Sequence, residues 1–402
     1  MSWLGHKPRD SSNVVVEMVL RFVRGHLSGT MERLPVTEGK TTFFAPVQDE
    51  GAAFPPGSAP IFYNRKMEAN RDGTVLFLAA VRPSDYLDAM GATGVRGLRV
   101  AHETGIAVTI NDIDPAAAAE IRANAGQIEG AIEVTCQDAN ALMSTRRFDA
   151  VDLDPFGTPA PFVDASCRSA KRFLFVTATD TAPLCGAHLK AGMRRYFARP
   201  MNTEYHGEVG LRILLGFVAR EMIKYDRGIE PLFCFAHEHF VRLHLRTRPR
   251  VKNADQALDR IGYVMQCTGC FYREERAGLL SESGVCPCCG TALRPIGPLW
   301  LGAVNDPDTL LAMEALLPEM ALGTASYLGR LLPVLRDELP TSTFYDYHRI
   351  AKALRASPPA IDIVLERLRA DGYLATRTHY EGTGIRTDAP LAAIEAAISG
   401  PA

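Results

Sequence analysis

YLDAMGATGVRGLRV, residues 86–100, ends a short apolar run at Asp88 and then spaces three glycines, Gly91, Gly94 and Gly97, along one turn. Closely set glycines let a turn pass near a ligand with its backbone amides facing outward. The pattern is GxxGxxG, not the GxGxxG of dinucleotide sites, and alone it is weak. Its weight comes from the segments downstream of it. IAVTIND ends at Asp112, AIEVTCQD at Asp138, FDAVDLD at Asp154 and RFLFVTATD at Asp180. Five short apolar runs therefore each stop at a carboxylate, with helix-like pieces between them. The clearest of these is PAAAAEIRANAG, where Pro115 suits the first turn and Gly126 the end. Strands rich in Val, Ile, Leu and Phe alternating with helices predict an α/β fold, a mostly parallel sheet covered on both faces. In such a sheet ligands bind beyond the carboxyl ends of the strands, so the five aspartates converge on one edge.

Working outward, GEVGLRILLGFVAREMIKYD reads as an amphipathic helix, and PLFCFAHEHFVRLHLRTRPR as two strands that complete the sheet, separated near His237 to His239. A linker is expected around 250–262. The two domains expected are 1–255, with an amino-terminal extension including the turn-rich GAAFPPGSAP, and 256–402. The second contains DTLLAMEALLPEM and TASYLGRLLPVLRDEL as helices. After them, YHRIAKAL, IDIVLERLRADG and YLATRTHYEGTGIRT suggest a winged helix at 340–390.

The chain has 402 residues, 47% hydrophobic and 22% charged, the balance of a globular protein of two or three domains. No run reaches the length of a membrane span, and charge breaks the opening MSWLGHKPRD too early for a secretory signal, so a cytoplasmic protein is expected. Lys and Arg total 44 against 46 Asp and Glu, so net charge neither argues for a polyanionic partner nor excludes one. Nothing indicates an obligate protein partner, and a monomer is expected.

The ordered acids have a chemical reading. Asp112 is placed to accept ribose hydroxyls, and Asp138 with Ala139, in CQDAN, to receive an adenine amino group. Asp88 and the loop amides then suit the amino and carboxylate groups of methionine. That order fits S-adenosylmethionine (SAM) better than a nicotinamide dinucleotide; the plainer reading is that these acids cap helices. At the fourth strand stands DPFG, Asp154 to Gly157. Methyl transfer to a planar exocyclic amine needs an acceptor to orient the amine and a flat surface to hold the ring. Asp154 and Phe156 supply both, with Pro155 fixing the turn.

CTGC and CPCCG set Cys267, Cys270, Cys286 and Cys289 in two pairs with 15 residues between them, the spacing of a structural tetrahedral zinc site within 262–298. Cys288 is an alternative fourth ligand. Two basic runs are candidates for phosphate contact: Arg242, Arg246, Arg248, Arg250 and Lys252, and Lys190, Arg194, Arg195 and Arg199. His206 with Glu208 reads as a helix-start pair, and His237 with His239 as a turn.

Taken together, FYNRKMEANRD, YLDAMGATGVRGLR, INDIDPAA, CQDAN, VDLDPFGTPAPFVDA and HGEVGLRILL resemble the archaeal and eukaryotic tRNA (guanine-26) N2-methyltransferases, the tRNA dimethylguanosine synthase family. The resemblance covers nearly the whole chain. It implies a class I methyltransferase fold with a seven-stranded Rossmann-like sheet, SAM as donor, and methylation of the N2 amine of guanine 26 in tRNA. It also implies a catalytic Asp154, Phe156 and Phe62 flanking the base, and Arg71 at the cofactor. Members commonly read FYNP where this chain has FYNR, so Arg65 is expected to loosen that turn. Rival readings are an amine methyltransferase for DNA adenine or ribosomal RNA, since DPF is akin to DPPY and NPPF, and a non-enzymatic zinc and winged-helix regulator.

Overall fold

The computed structural model describes residues 33–46 and 61–400, so the turn-rich 51–60 and the opening segment lie outside the described residues. Strands β1 (Arg33–Glu38) and β2 (Thr41–Pro46) form a hairpin, and α1 (Glu68–Val81) leads into the main sheet. Strand and helix then alternate: β3 (Asp85–Asp88), α2 (Val95–Thr104), β4 (Ala107–Asp112), α3 (Pro115–Ala125), β5 (Ile132–Cys136), α4 (Ala139–Thr145), β6 (Phe148–Leu153), α5 (Val163–Ser169) and β7 (Ala170–Ala178). Short helices α6 (Thr181–Leu184) and α7 (Leu189–Tyr196) precede the long α8 (His206–Ile223), and β8 (Arg227–His237), β9 (Phe240–Pro249) and α9 (Val251–Leu258) come after it.

The sheet order is β5-β4-β3-β6-β7-β9-β8, seven strands with β9 antiparallel to both neighbours. This is the expected class I methyltransferase architecture, with β3 and β6 side by side at the point where the strand order reverses. Both faces are covered because alternate side chains on each strand belong to different cores. Phe173 and Phe175 join Phe77, Phe233 and Phe235 on one face. Leu174 and Val176 join Leu211, Leu214 and Val218 of α8 on the other. Each fully buried side chain of this size contributes about 1.5–3 kcal/mol.

Two expectations are corrected. The helix over 206–223 is not amphipathic but buried along most of its length, because it is wedged between the sheet and a second sheet. Gly216 permits this, since a Cβ there would stand 2.9 Å from Leu299 Cα. Arg212, also inside, is satisfied by Glu208 and by the carbonyls of Trp300, Gly302 and Thr341. The expected linker at 250–262 is largely α9, whose Ala254 and Ala257 are buried.

The second sheet contains β10 (Ile261–Cys267), β11 (Arg273–Ala277) and β12 (Leu293–Trp300), in the order β11-β10-β12. Helices α10 (Pro307–Leu316) and α11 (Ala325–Asp337) return to the main sheet, where Leu310, Met313, Leu328 and Leu332 share a core with Phe77. A compact unit completes the chain, with its own core around Ile350, Val364, Leu368 and Ile385. It consists of β13 (Tyr345–Asp346), α12 (Tyr347–Leu354), α13 (Ile361–Ala370), β14 (Ala375–Arg377), β15 (Gly384–Thr387) and α14 (Leu391–Ser399). Its helix, helix and antiparallel wing keep the winged-helix order. Buried Arg386 on the wing reaches Glu208 of α8 at 2.9 Å, so Glu208 is an anchor between units and not only a helix-start residue. Burial would raise Glu338 beside it, but His379 and Arg386 hold it down at about 2.

Candidate active site

The carboxyl edge at β3 and β6 gathers the glycine loop and the DPFG turn. Gly91 and Gly97 pack against Ile110, where a Cβ would approach to 2.5 and 2.6 Å, and Gly94 opens α2 at φ 81°. These glycines are required by the close passage of the loop over β4. Asp88 lies beneath the loop, buried, and one of its oxygens accepts the Gly97 amide at 3.0 Å. Burial, with the charges of Asp152 and Asp154, pushes Asp88 up to about 7 against the opposing pull of Arg96.

Asp112 accepts the amides of Ala92 and Asp114, each at 2.9 Å, tying the glycine loop to the turn after β4. Asp138 caps α4 through the amide of Ala141 at 2.9 Å and is otherwise exposed, with Ala139 buried behind it. The capping role is thus real for Asp138, yet each carboxylate has about four lone-pair sites and keeps acceptor capacity at the edge. Methionine ammonium, ribose hydroxyls and an adenine amine are all donors, so these acceptors suit an adenosine-bearing sulfonium.

The DPFG turn presents its functional groups outward. Phe156 is 83% exposed, and its ring meets Phe62 at 5.7 Å between centroids with the planes at 73°. Two aromatic rings 94 positions apart in sequence thus stand together beside Asp154. The turn is held by Gly157 and Thr179, which exchange bonds of 2.9 and 3.0 Å. Arg65 does not loosen the upstream turn: it begins a helical turn that Asn64 caps by accepting the Lys66 amide at 3.0 Å. That first helical position tolerates proline and most other residues alike.

The sequence reading missed Arg96, one of the four residues between the glycines of the loop. Buried in the first turn of α2, it donates to Asp154 and lies 3.8 Å from Asp152. Asp152 in turn takes a two-pronged pair from Arg242, at 2.6 and 2.7 Å, and the Tyr86 hydroxyl at 2.6 Å. Burial opposes the charge on Asp152, but Arg242 and Arg96 outweigh it and hold its carboxyl well below the usual range. A chain of buried charges therefore fixes the direction of the Asp154 carboxylate. The available signal was that VDLDPFG places an acid inside a buried strand, which demands a cation.

Arg71 is buried and paired with Glu38 of the hairpin through Nε at 2.7 Å and Nη2 at 2.5 Å, with Asn64 O at 3.1 Å. It fastens the hairpin and the FYN segment to α1. The basic run on β9 is corrected. Arg242 is a core arginine, the partner of Asp152, and Arg246 and Arg248 pair with Glu230. Arg246 is opposite Phe173, five residues from the Val241–Ala178 pairing at the carboxyl edge. At about 3.4 Å per residue that is roughly 17 Å from the site, on the opposite edge.

Cys267, Cys270, Cys286 and Cys289 bring their sulfurs within 4.8 Å of one another. The Cys267–Cys289 and Cys270–Cys286 separations are 3.4 and 3.6 Å. Bonds of about 2.3 Å in a tetrahedron require sulfurs roughly 3.8 Å apart, so the set fits zinc, with no fifth position for water. Cys288 stands outside the group, and Gly290 makes the knuckle at φ 73°.

Comparison with known proteins agrees with this arrangement. Residues 44–399 match the family model described as N2,N2-dimethylguanosine tRNA methyltransferase. The chain is 61% identical to the tRNA (guanine(26)-N(2))-dimethyltransferase of Methanoregula boonei over 92% of its length and 99% of that protein's. It is 63% identical to the enzyme of that name from Methanoculleus marisnigri, over 92% of its length and 100% of that protein's. Among solved structures, that of Trm1 from Pyrococcus horikoshii in complex with S-adenosyl-L-methionine is similar at a TM-score of 0.82 and 34% identity. The match covers 91% of this chain and 100% of that one. With a fold, an edge and a cysteine cluster already in place, a match over this much of the chain has one meaning: it belongs to the N2,N2-dimethylguanosine tRNA methyltransferase family.

Proposed function

We propose that the protein transfers methyl groups from SAM to the exocyclic N2 amine of guanine 26 in tRNA, giving N2-methyl- and N2,N2-dimethylguanosine. The observation that carries this reading is the pairing of Phe62 and Phe156 at the mouth of the turn that presents Asp154, one strand from the glycine loop. Asp88, Gly91, Gly94, Asp112, Asp138 and Ala139 would hold the cofactor, whose sulfonium supplies an electrophilic methyl group. Arg71 supports that pocket from below by fixing the FYN segment.

The chain's own residues then act on the acceptor. The two rings receive the guanine, which must leave its stack before the amine can reach the edge. Asp154 accepts an N2 hydrogen and turns the nitrogen lone pair toward the methyl carbon. As the N–C bond forms and the S–C electron pair returns to sulfur, the amine becomes cationic. The carboxylate beside it is worth more at that moment than in the ground state. Arg96 shares Asp154 and holds the carboxylate oriented to receive the developing charge and the proton. The same geometry accepts a monomethylated amine, which still has one hydrogen to donate.

The zinc module and the winged-helix unit attach to α8 and give the tRNA its further contacts, with the enzyme acting as a monomer in the cytoplasm. No helix among the described residues is long and apolar enough to cross a membrane. The test is nucleoside mass spectrometry of a tRNA transcript incubated with purified protein and SAM. Methylated guanosine that disappears when position 26 is changed to adenosine is the expected result; methylation of duplex DNA or rRNA instead would refute the reading.

A further inference from the structure

Helix α7 and the residue after it form a surface that the methyl-transfer site does not use. Leu189, Met193 and Phe197, four residues apart, make an exposed apolar ridge, and Phe197 is 74% exposed. Phe197 also ends the helix in the left-handed region at φ 48°, a conformation that glycine or asparagine normally takes at this position. A bulky residue there costs backbone strain that glycine would not. The backbone around it is clamped: Phe197 N donates to Met193 O at 3.0 Å, Arg220 donates to Tyr196 O at 2.7 Å, and Arg199 exchanges bonds of 2.7 and 3.0 Å with Gly297. The ring is thus presented on a hydrogen-bonded support and belongs to no hydrophobic core among the described residues.

The surroundings are basic. Lys190, Arg194, Arg195 and Arg199 are all exposed, and Asp180 pairs with Arg195 at 2.9 Å. The other three make no side-chain bond with a described residue. Unlike the run on β9, this cluster lies at the carboxyl edge. The Tyr196 hydroxyl bonds Asp180, after β7, at 2.5 Å and Thr158, two residues beyond Phe156, at 2.9 Å. Tyr196 therefore ties the platform to the DPFG turn.

We propose that α7 and Phe197 form a second nucleotide-binding platform, on which Phe197 stacks a base adjoining the target while Lys190, Arg194 and Arg199 hold the neighbouring phosphates. This rests on the tRNA reading of the active site. Charge and exposed aromatic together fit a polynucleotide, because bases stack on such rings while cations track the backbone. Extracting one base leaves its neighbours without a stacking partner, and a ring beside the catalytic turn restores one.

The test uses full-length protein, a tRNA transcript with guanosine at 26, and the variants Phe197→Ala, Phe197→Gly, Phe197→Trp and Lys190→Glu/Arg194→Glu. Phe197→Ala should weaken tRNA binding and raise its KM by roughly fivefold to a hundredfold, the loss of one base stack, with SAM affinity unchanged. Phe197→Trp should restore affinity. Phe197→Gly should lose affinity while keeping or raising Tm, since glycine accepts the backbone. The double charge reversal should reduce the salt dependence of binding. Affinities within twofold of wild type in both Phe197→Ala and Phe197→Gly would overturn the proposal, as would a dimer that the Phe197 variants dissolve. If wild type binds tRNA through Phe197 but does not methylate it, the methylation reading fails and the platform stands. If it methylates and the variants bind normally, the reverse holds.

Discussion

Replacing Phe156 by alanine separates a stacking role from a packing role, because the structure fixes the cost of each. The ring is 83% exposed and touches Phe62 edge-on at 5.7 Å, so its removal takes almost nothing from the core. A surface truncation of this kind alters stability by about 0.5 kcal/mol at most, which is a Tm change of about 2 °C or less in a chain this size. If, as proposed, the same ring covers a face of the extruded guanine in the reacting complex, that contact is worth roughly 1–3 kcal/mol. At about 1.4 kcal/mol per decade, Phe156→Ala should lower kcat/KM by about fivefold to a hundredfold. SAM binding, which the proposal assigns to the loops after β3 to β5, should not move. The dissociation constant for whole tRNA should rise less than kcat/KM falls, since phosphate contacts carry most of that affinity. The assay is steady-state methyl transfer to tRNA, with SAM titration calorimetry and thermal melts on the same preparations. A melt lowered by more than about 5 °C, well beyond the change a surface truncation produces, or kcat/KM within twofold of wild type, refutes the stacking role.

Asp154→Asn should retain SAM affinity and lose most methyl transfer, because the amide keeps an oxygen but not the charge that the cationic amine meets; a rate within threefold of wild type at saturating substrates removes Asp154 from that role. Cys267→Ser should release the roughly one zinc per chain that four thiolates imply and loosen the 261–300 sheet without abolishing SAM binding. Metal analysis of protein purified without chelator checks this, and zero equivalents in the wild type overturns it. The pH dependence of stability should carry the mark of Asp88. Its folded value of about 7 lies above the 3.8 of a free aspartate, so the folded chain takes up the proton. The resulting stabilisation is complete below about pH 4 and is lost as pH rises through about 7. Asp88→Asn should flatten that limb of a urea-midpoint curve, and a variant curve parallel to wild type would show that Asp88 does not titrate in this range.

Much of this arrangement was legible along the chain. Strands of Val, Ile, Leu and Phe must be buried on both faces, and an acid that closes each of them in turn can lie only at the carboxyl edge. The cysteine spacing was equally informative, since two knuckles of two thiolates leave few geometries but a tetrahedron. Such signals are local, and local sterics and ligand chemistry read them directly. Other features depended on partners far apart in sequence. The run of arginines on β9 looked like one positive track, yet alternation sends Arg242 into the core toward Asp152, while strand direction carries Arg246 to the far edge beside Glu230. Arg96 gave no sign of its importance because its partners, Asp152 and Asp154, meet it only when β6 pairs with β3. The helix over 206–223 looked half-exposed because the surface that covers it, β12, comes some eighty residues later. Periodicity tells a residue which way to face; only the assembled sheet decides what it faces, and for a buried charge that partner determines whether it is structure or chemistry.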